Sequence, residues 1–215
     1  MEKLIITIAT TGNVPTKKMT PYVPITANEI VDDIIACCNE GASVAHIHVR
    51  DENGNPTCNI DRFSKVLTML EERDCPIMRQ LSTGARGGTD DERLTVLTLQ
   101  QNSASLSTGS SNFPKSINAN APLFIENLAE HMLKNHIKPE IEVFDTSMIQ
   151  NAMNLQKKGL LKSPLVFNLV LGVKGSLPAT ARNLFFLVES LPQDAVWSVS
   201  IIGKEHVPLS RSEER

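Results

Sequence analysis

Seven short apolar runs, separated by segments that carry helix start signals, constrain this chain more than any other feature. The runs are KLIITIA (3–9), SVAHIHV (43–49), PIMRQLS (76–82), SASLST (103–108), EIEVF (140–144), PLVFNLVLG (164–172) and AVWSVSII (195–202). Their length and partly β-branched character suit strands buried on both faces. Strands that alternate with helices predict parallel β-α units, because a parallel neighbour can be reached only by a crossover.

The helical segments between them are marked by side chains that can satisfy the free N–H groups of a first turn. Thr26 and Glu29 form a T-x-x-E capping box, with Ile25 and Ile30 placed as a hydrophobic staple. Ile30, Ile34 and Cys38 then fall on one stripe, and Gly41 is a natural stop. Thr89 and Glu92 repeat the capping device, and Phe63, Val66, Leu67 and Leu70 share one face. Asp145 is placed as an N-cap before a segment that ends in Lys157, Lys158 and Gly159.

No strand-turn-helix junction carries GxGxxG or GxxxxGK[ST], the phosphate loops of many open sheets. A barrel therefore fits better than a doubly wound sheet. The expected fold is α/β, a (β/α)8 TIM barrel forming a single domain over residues 1–215. A complete barrel needs eight strands and typically ~250 residues. The pattern here supplies about seven βα units, and after Pro208 comes the polar run SRSEER, so the barrel is expected to be C-terminally shortened, without an eighth strand and helix.

Composition removes several functions. With 21 Lys and Arg against 24 Asp and Glu, the net charge is −3, which leaves no basic excess for nucleic acid or an acidic membrane surface. The N-terminal apolar run of about seven residues is far shorter than the ~20 that span a bilayer, and Glu2 spoils a signal peptide. Cys37, Cys38, Cys58 and Cys75 form no CxxC and read as reduced thiols, so a cytoplasmic protein is expected.

The chemistry-bearing residues cluster at the ends of the predicted strands. Residues two apart in a strand share a face, so His46 and His48 point together. Two neutral imidazoles on one face can hold Zn²⁺, or can be ordinary hydrogen-bonding histidines; a catalytic zinc takes three protein ligands, so the pair is incomplete alone. After the third strand, Ser82, Thr83 and Gly84 open a loop with Gly87 and Gly88, where backbone could approach a ligand. After the fourth, Ser107, Thr108, Gly109 and Asn112 repeat the pattern. Hydroxyl and amide donors on one rim suit a carboxylate or carbonyl substrate. Glu140 and Glu142 alternate on the fifth strand, and Glu142 is a candidate partner for a substrate amine or a general base. Asn168 is either a pocket residue or a satisfied core amide. His131 and His136 are placed on a surface helix, and His206 stays open as a rim residue.

Taken in order, the segments LIITIATTGN, TPYVPITANEI, GASVAHIHVRDENGNPT, DRF, LSTG, SSNF, PEIEVFDTSM, FNLVLGVKGSLPAT and WSVSIIGKEHVPL resemble the β-keto acid cleavage enzymes of the 3-keto-5-aminohexanoate type, over nearly the whole chain. The resemblance implies a zinc-dependent TIM barrel, usually a homo-oligomer, in amino-acid catabolism such as lysine degradation. It implies condensation of a small-molecule β-keto acid with acetyl-CoA to give acetoacetate and a new acyl-CoA. His46 and His48 match two histidine zinc ligands. Ser82, within LSTG with Thr83 and Gly84, matches a serine near the substrate carboxylate; Ser105 and Ser107 fall in a TLNxG substrate-pocket region; Glu142 matches the strand-five glutamate. Val14 stands where the aminohexanoate enzymes carry a glutamate suited to an ammonium group, which points to a less cationic keto acid. The resemblance places a third zinc ligand, a glutamate, beyond strand seven in a GxEDN-like segment. An arginine and an aspartate of the base system lie in the same region, past Arg215. Two alternatives accompany this expectation: a catalytically inactive shortened member of the family, and an unrelated metallohydrolase with HxH on a barrel strand.

Overall fold

The computed structural model describes residues 4–99, 101–113 and 116–210, so the tail at 211–215 lies outside the described residues. Two compact units divide the chain: Met1–Ala104 with Asn135–Lys138, and Ser105–Lys134 with Pro139–Arg215.

The first unit contains β1 (Thr7–Ile8), α1 (Ala27–Asn39), β2 (Val44–Ile47), β3 (Val49–Arg50), β4 (Pro56–Thr57), α2 (Ile60–Glu72), β5 (Met78–Leu81), α3 (Asp90–Val96) and the first residues of β6 (Ser103–Ser107). Its main strands run parallel, β1 on β2, β2 on β5 and β5 on β6. Both capping boxes form as expected: Thr26 and Glu29 start α1, and Thr89 and Glu92 start α3. Phe63, Val66, Leu67 and Leu70 of α2 are all buried, as their spacing requires. Lys138, at the start of β9 (Lys138–Val143), donates its backbone N–H to the Asn102 carbonyl at 2.9 Å. Strand β1 is shorter than its apolar run, and Leu4, Ile5 and Ile6 are exposed.

The second unit holds the rest of β6, the hairpin β7 (Ser111–Phe113) and β8 (Ser116–Asn118), α4 (Pro122–Lys134) and most of β9. It continues with α5 (Thr146–Lys157), β10 (Val166–Leu171), α6 (Ala181–Glu189), β11 (Val196–Ile201) and α7 (His206–Ser210). Strand β10 pairs in parallel with both β9 and β11, so Glu142, Asn168 and Ser198 occupy one row of the register. Asp145 caps α5 by accepting the Ser147 N–H at 2.9 Å. Leu171 is fully buried, and the next residue, Gly172 at φ +85°, turns the chain where a Cβ would lie 2.3 Å from the Ile202 carbonyl oxygen. Only glycine fits both demands.

Seven parallel strands joined through helices are the β-α repeat of the TIM-barrel class. All seven strand positions match the apolar runs of the sequence. Among the described residues no helix is long and apolar enough to cross a membrane, and all four cysteines are free thiols.

Candidate functional site

In the first unit the two histidines lie where strand alternation places them. His46 is in β2 and His48 follows it, with ring centroids 4.8 Å apart in an edge-on arrangement. Burial is the largest influence on His48 and lowers its pKa well below 6.5, with His46, Arg86 and Arg50 adding charge repulsion. A neutral imidazole is the form that binds a metal.

Register then supplies a residue that the sequence reading missed. His46 lies opposite Gln80 on β5, and Gln80 lies opposite Ser103 on β6. His46 Nδ1 is 2.5 Å from Gln80 Oε1, and Gln80 Nε2 donates to Ser103 Oγ at 3.3 Å. A ring whose Nδ1 proton is given to an amide oxygen presents a bare Nε2, the usual arrangement behind a metal-bound histidine. The donor set therefore fits two of the ligands a zinc ion needs. Among the described residues, no group of three His, Cys, Asp or Glu side chains is placed to hold a metal.

Ser82, Thr83 and Gly84 are brought to the C-terminal end of β5. Ser82 and Thr83 are buried, the Gly84 N–H donates to Ser82 Oγ at 3.3 Å, and buried Arg93 donates through Nε to the Thr83 carbonyl at 2.7 Å. At Gly84 an added Cβ would meet Ser82 Oγ at 3.5 Å and Asn13 Nδ2 at 3.6 Å, so its nearest described neighbours are polar. Gly87 and Gly88 are closely packed. A Cβ on either would press on Thr57 or Cys58, and the Gly87 carbonyl accepts the Cys58 N–H at 2.6 Å.

Arg50, 2 % exposed, fixes the neighbouring loop by donating to four carbonyls: Gly12 at 3.0 Å, Gly54 at 2.8 Å, Thr11 at 3.4 Å and Pro15 at 3.1 Å. Thr11 Oγ1 in that loop is buried with no partner among the described residues. Val14, two residues on from Gly12, is exposed.

In the second unit Ser105 and Ser107 are buried on β6, and Ser107 Oγ donates to Glu142 Oε2 at 2.8 Å. Next along the row, Asn168 Oδ1 is buried without a partner among the described residues. Two carboxylate and amide oxygens side by side form a face that accepts hydrogen bonds. The loop after β6 departs from expectation. Thr108 is fully buried with its hydroxyl donated to the Met148 carbonyl at 2.7 Å, and Gly109 packs against Met148, so this Thr-Gly turn anchors α5. Asn112 is exposed on the β7–β8 hairpin. A cleft of about 720 Å³ beside this loop is lined by Gly109, Asn120, Met148, Asn151 and Lys158, with Lys158 paired to Glu126 at 2.6 Å.

Other expectations resolve simply. His131 is exposed on α4, its Nδ1 2.8 Å from the Asn127 carbonyl, whereas His136 is not helical: it sits past the end of α4 at φ +57°. His206 starts α7 in an exposed position.

A sequence model of the beta-keto acid cleavage enzyme family matches residues 3–212. A 3-keto-5-aminohexanoate cleavage enzyme of Acetoanaerobium sticklandii is 43 % identical over 213 residues, covering 98 % of this chain and 78 % of that protein. A 3-oxoadipate:acetyl-CoA acetyltransferase of Cupriavidus necator is 39 % identical, over 96 % of this chain and 74 % of its own length. Among solved structures, apo ObcA superposes with a TM-score of 0.72 at 24 % identity, over 84 % of this chain and 50 % of the ObcA chain. That likeness establishes the fold, and this chain spans about half of the ObcA chain.

Proposed function

Since the chain belongs to the β-keto acid cleavage enzyme family, we propose that it condenses a β-keto acid with acetyl-CoA, giving acetoacetate and a new acyl-CoA. The observation that carries this reading is the pair His46 and His48 on one strand face, with His46 backed by Gln80 beside the Ser82-Thr83-Gly84 turn. His46 and His48 are the residues that would hold zinc, as two members of its ligand set. Zinc, when bound, supplies Lewis-acid polarisation of a carbonyl.

The chain's own groups do the rest. Ser82 and Thr83, held by Arg93 and the turn at Gly84, bind the substrate carboxylate and orient the adjacent carbon toward the thioester. Arg50 and Arg86 surround this region with positive charge and favour an anionic substrate. Within the second unit, taken by itself, Ser105, Ser107 and Glu142 are the residues we propose for substrate binding, Ser107 Oγ holding the Glu142 carboxylate by a hydrogen bond. In bond terms, C2 of the keto acid gives up a proton and joins the acetyl carbonyl carbon as that carbon's bond to CoA sulfur breaks. The CoA thiolate then adds to the original keto carbon, whose bond to C2 breaks, and C2 takes back a proton to release acetoacetate.

Exposed Val14 offers no carboxylate to a cation, which favours a keto acid without an ammonium group. The free thiols suit a reducing cytoplasm. Exposed Leu123, Phe185 and Phe186 suit a homo-oligomer. The setting we propose is catabolism of keto acids derived from amino acids.

Acetyl-CoA carrying ¹³C at its carbonyl tests the reaction with a panel of β-keto acids. The expected product is acetoacetate labelled at C3, with the new acyl-CoA formed in equal amount. Acetate release, or unlabelled acetoacetate, would overturn the proposal.

A further inference from the structure

His46, Gln80 and Ser103 stand on three adjacent strands at matching register positions, so their side chains form one row. Gln80 is 1 % exposed and Ser103 is 4 % exposed, so the bond between them is shielded from water. An amide can face an imidazole in two ways. With its oxygen toward Nδ1 it requires the Nδ1–H tautomer; with its NH₂ toward Nδ1 it requires the Nε2–H tautomer, which has no lone pair left on Nε2 for a metal. The structure has the oxygen toward His46 at 2.5 Å and the NH₂ toward Ser103 Oγ at 3.3 Å.

We propose that Gln80, oriented by Ser103, is a positioning residue that locks His46 in the Nδ1–H tautomer and so keeps Nε2 available to a metal ion. This rests on the reading of His46 as a ligand. The amide has a further consequence. Unlike a carboxylate, it carries no charge to draw the Nδ1 proton toward itself, so it leaves the ring a weaker electron donor. A metal held by such a ligand keeps more of its charge for polarising a carbonyl.

Two readouts separate the lock from the ligand assignment. The first is ¹⁵N NMR of the metal-free protein, with the His46 signals assigned by their loss in His46→Gln. The expected wild-type pattern is a protonated Nδ1 and a bare Nε2. Gln80→Leu is expected to release this pattern to a tautomer mixture, and Gln80→Glu, which only accepts, to restore it. An Nε2–H tautomer in the wild type, or no change in Gln80→Leu, would overturn the lock.

The second readout is zinc affinity by chelator competition, where Gln80→Leu is expected to weaken binding ~10–100-fold. Ser103→Ala is expected to weaken it a few-fold, while Gln80→Glu binds at least as tightly as the wild type. Equal zinc affinity in wild type and Gln80→Leu would overturn the proposal even if the histidines bind metal. Absence of zinc binding in the wild type, with the tautomer pattern intact, would instead sink the ligand reading and leave the lock standing.

Discussion

Arg50 in the first unit and Asn168 in the second both carry buried polar atoms, and they are treated in opposite ways. Arg50 donates to four backbone carbonyls and ties residues 11–15 and Gly54 to the chain just after His48. Among the described residues Asn168 Oδ1 has no partner, and Asn168 is next in register to a Glu142 that has Ser107 as its neighbour. A buried group with all its bonds made is a fixed part of the scaffold; a buried acceptor with none is costly to folding unless something else bonds it. The difference separates a residue that fixes its own loop from one whose acceptor is open to a further hydrogen bond.

Breaking the fixed side has the largest expected effect. Arg50→Met leaves the buried Thr11 carbonyl and the half-buried carbonyls of Gly12, Pro15 and Gly54 without their donor, and should lower unfolding free energy by roughly 3 kcal/mol, as measured by urea denaturation. A loss below ~1 kcal/mol, typical of an exposed polar residue, would mean that the guanidinium does not organise the loop.

On the available side, Glu142→Gln keeps the shape and the contact with Ser107 but removes the charge. It should cut kcat/KM for acetyl-CoA-dependent acetoacetate formation by about 100-fold, or roughly 2.7 kcal/mol, with little change in stability. Asn168→Leu sharpens the contrast with Arg50 most clearly. Removing an unpartnered buried oxygen should leave stability unchanged or raise it by up to ~1 kcal/mol, while kcat/KM falls about tenfold. A destabilised Asn168→Leu protein would place the amide with the scaffold.

The smallest effect lies away from the site. Glu29 is held down at about 2, from 4.5, chiefly by Lys17 and then by the N–H groups of Thr26 and Ile25. A carboxylate with a lowered folded-state pKa contributes stability above its unfolded value and loses it as pH falls toward the folded one. Glu29→Gln should therefore cost about 1 kcal/mol, from the cap rather than the screened ion pair, at neutral pH. The difference from wild type should shrink between about pH 4.5 and about 2. A difference that grew on acidification would reverse the assignment.

The sequence showed more of the scaffold than of the site. Thr26 with Glu29, Thr89 with Glu92, and the stripe Phe63–Leu70 are local patterns, and each formed as written. The pairing of His46 with His48 was also legible, because a period of two depends only on the strand itself. Gln80 was hidden for the opposite reason: its contact with His46 depends on the register between β2 and β5, which no local pattern states. Its signal was present only as alternation with Ser82 in PIMRQLS. The glycine-rich loops carry packing that their composition does not announce, with Gly87 and Gly88 close to Cys58 and Gly109 close to the Met148 side chain. His136 lost its helix because it takes a left-handed turn between α4 and β9 that its neighbours do not announce.

Metal retention in the histidine variants tests the central claim most directly. After equilibration with zinc and dialysis, the wild-type protein should retain the ion, and His46→Ala and His48→Ala should each lose affinity by more than the ~10–100-fold expected of Gln80→Leu, while keeping their circular dichroism. Folded variants that retain zinc as tightly as the wild type would contradict the assignment of these two imidazoles as the metal-holding pair.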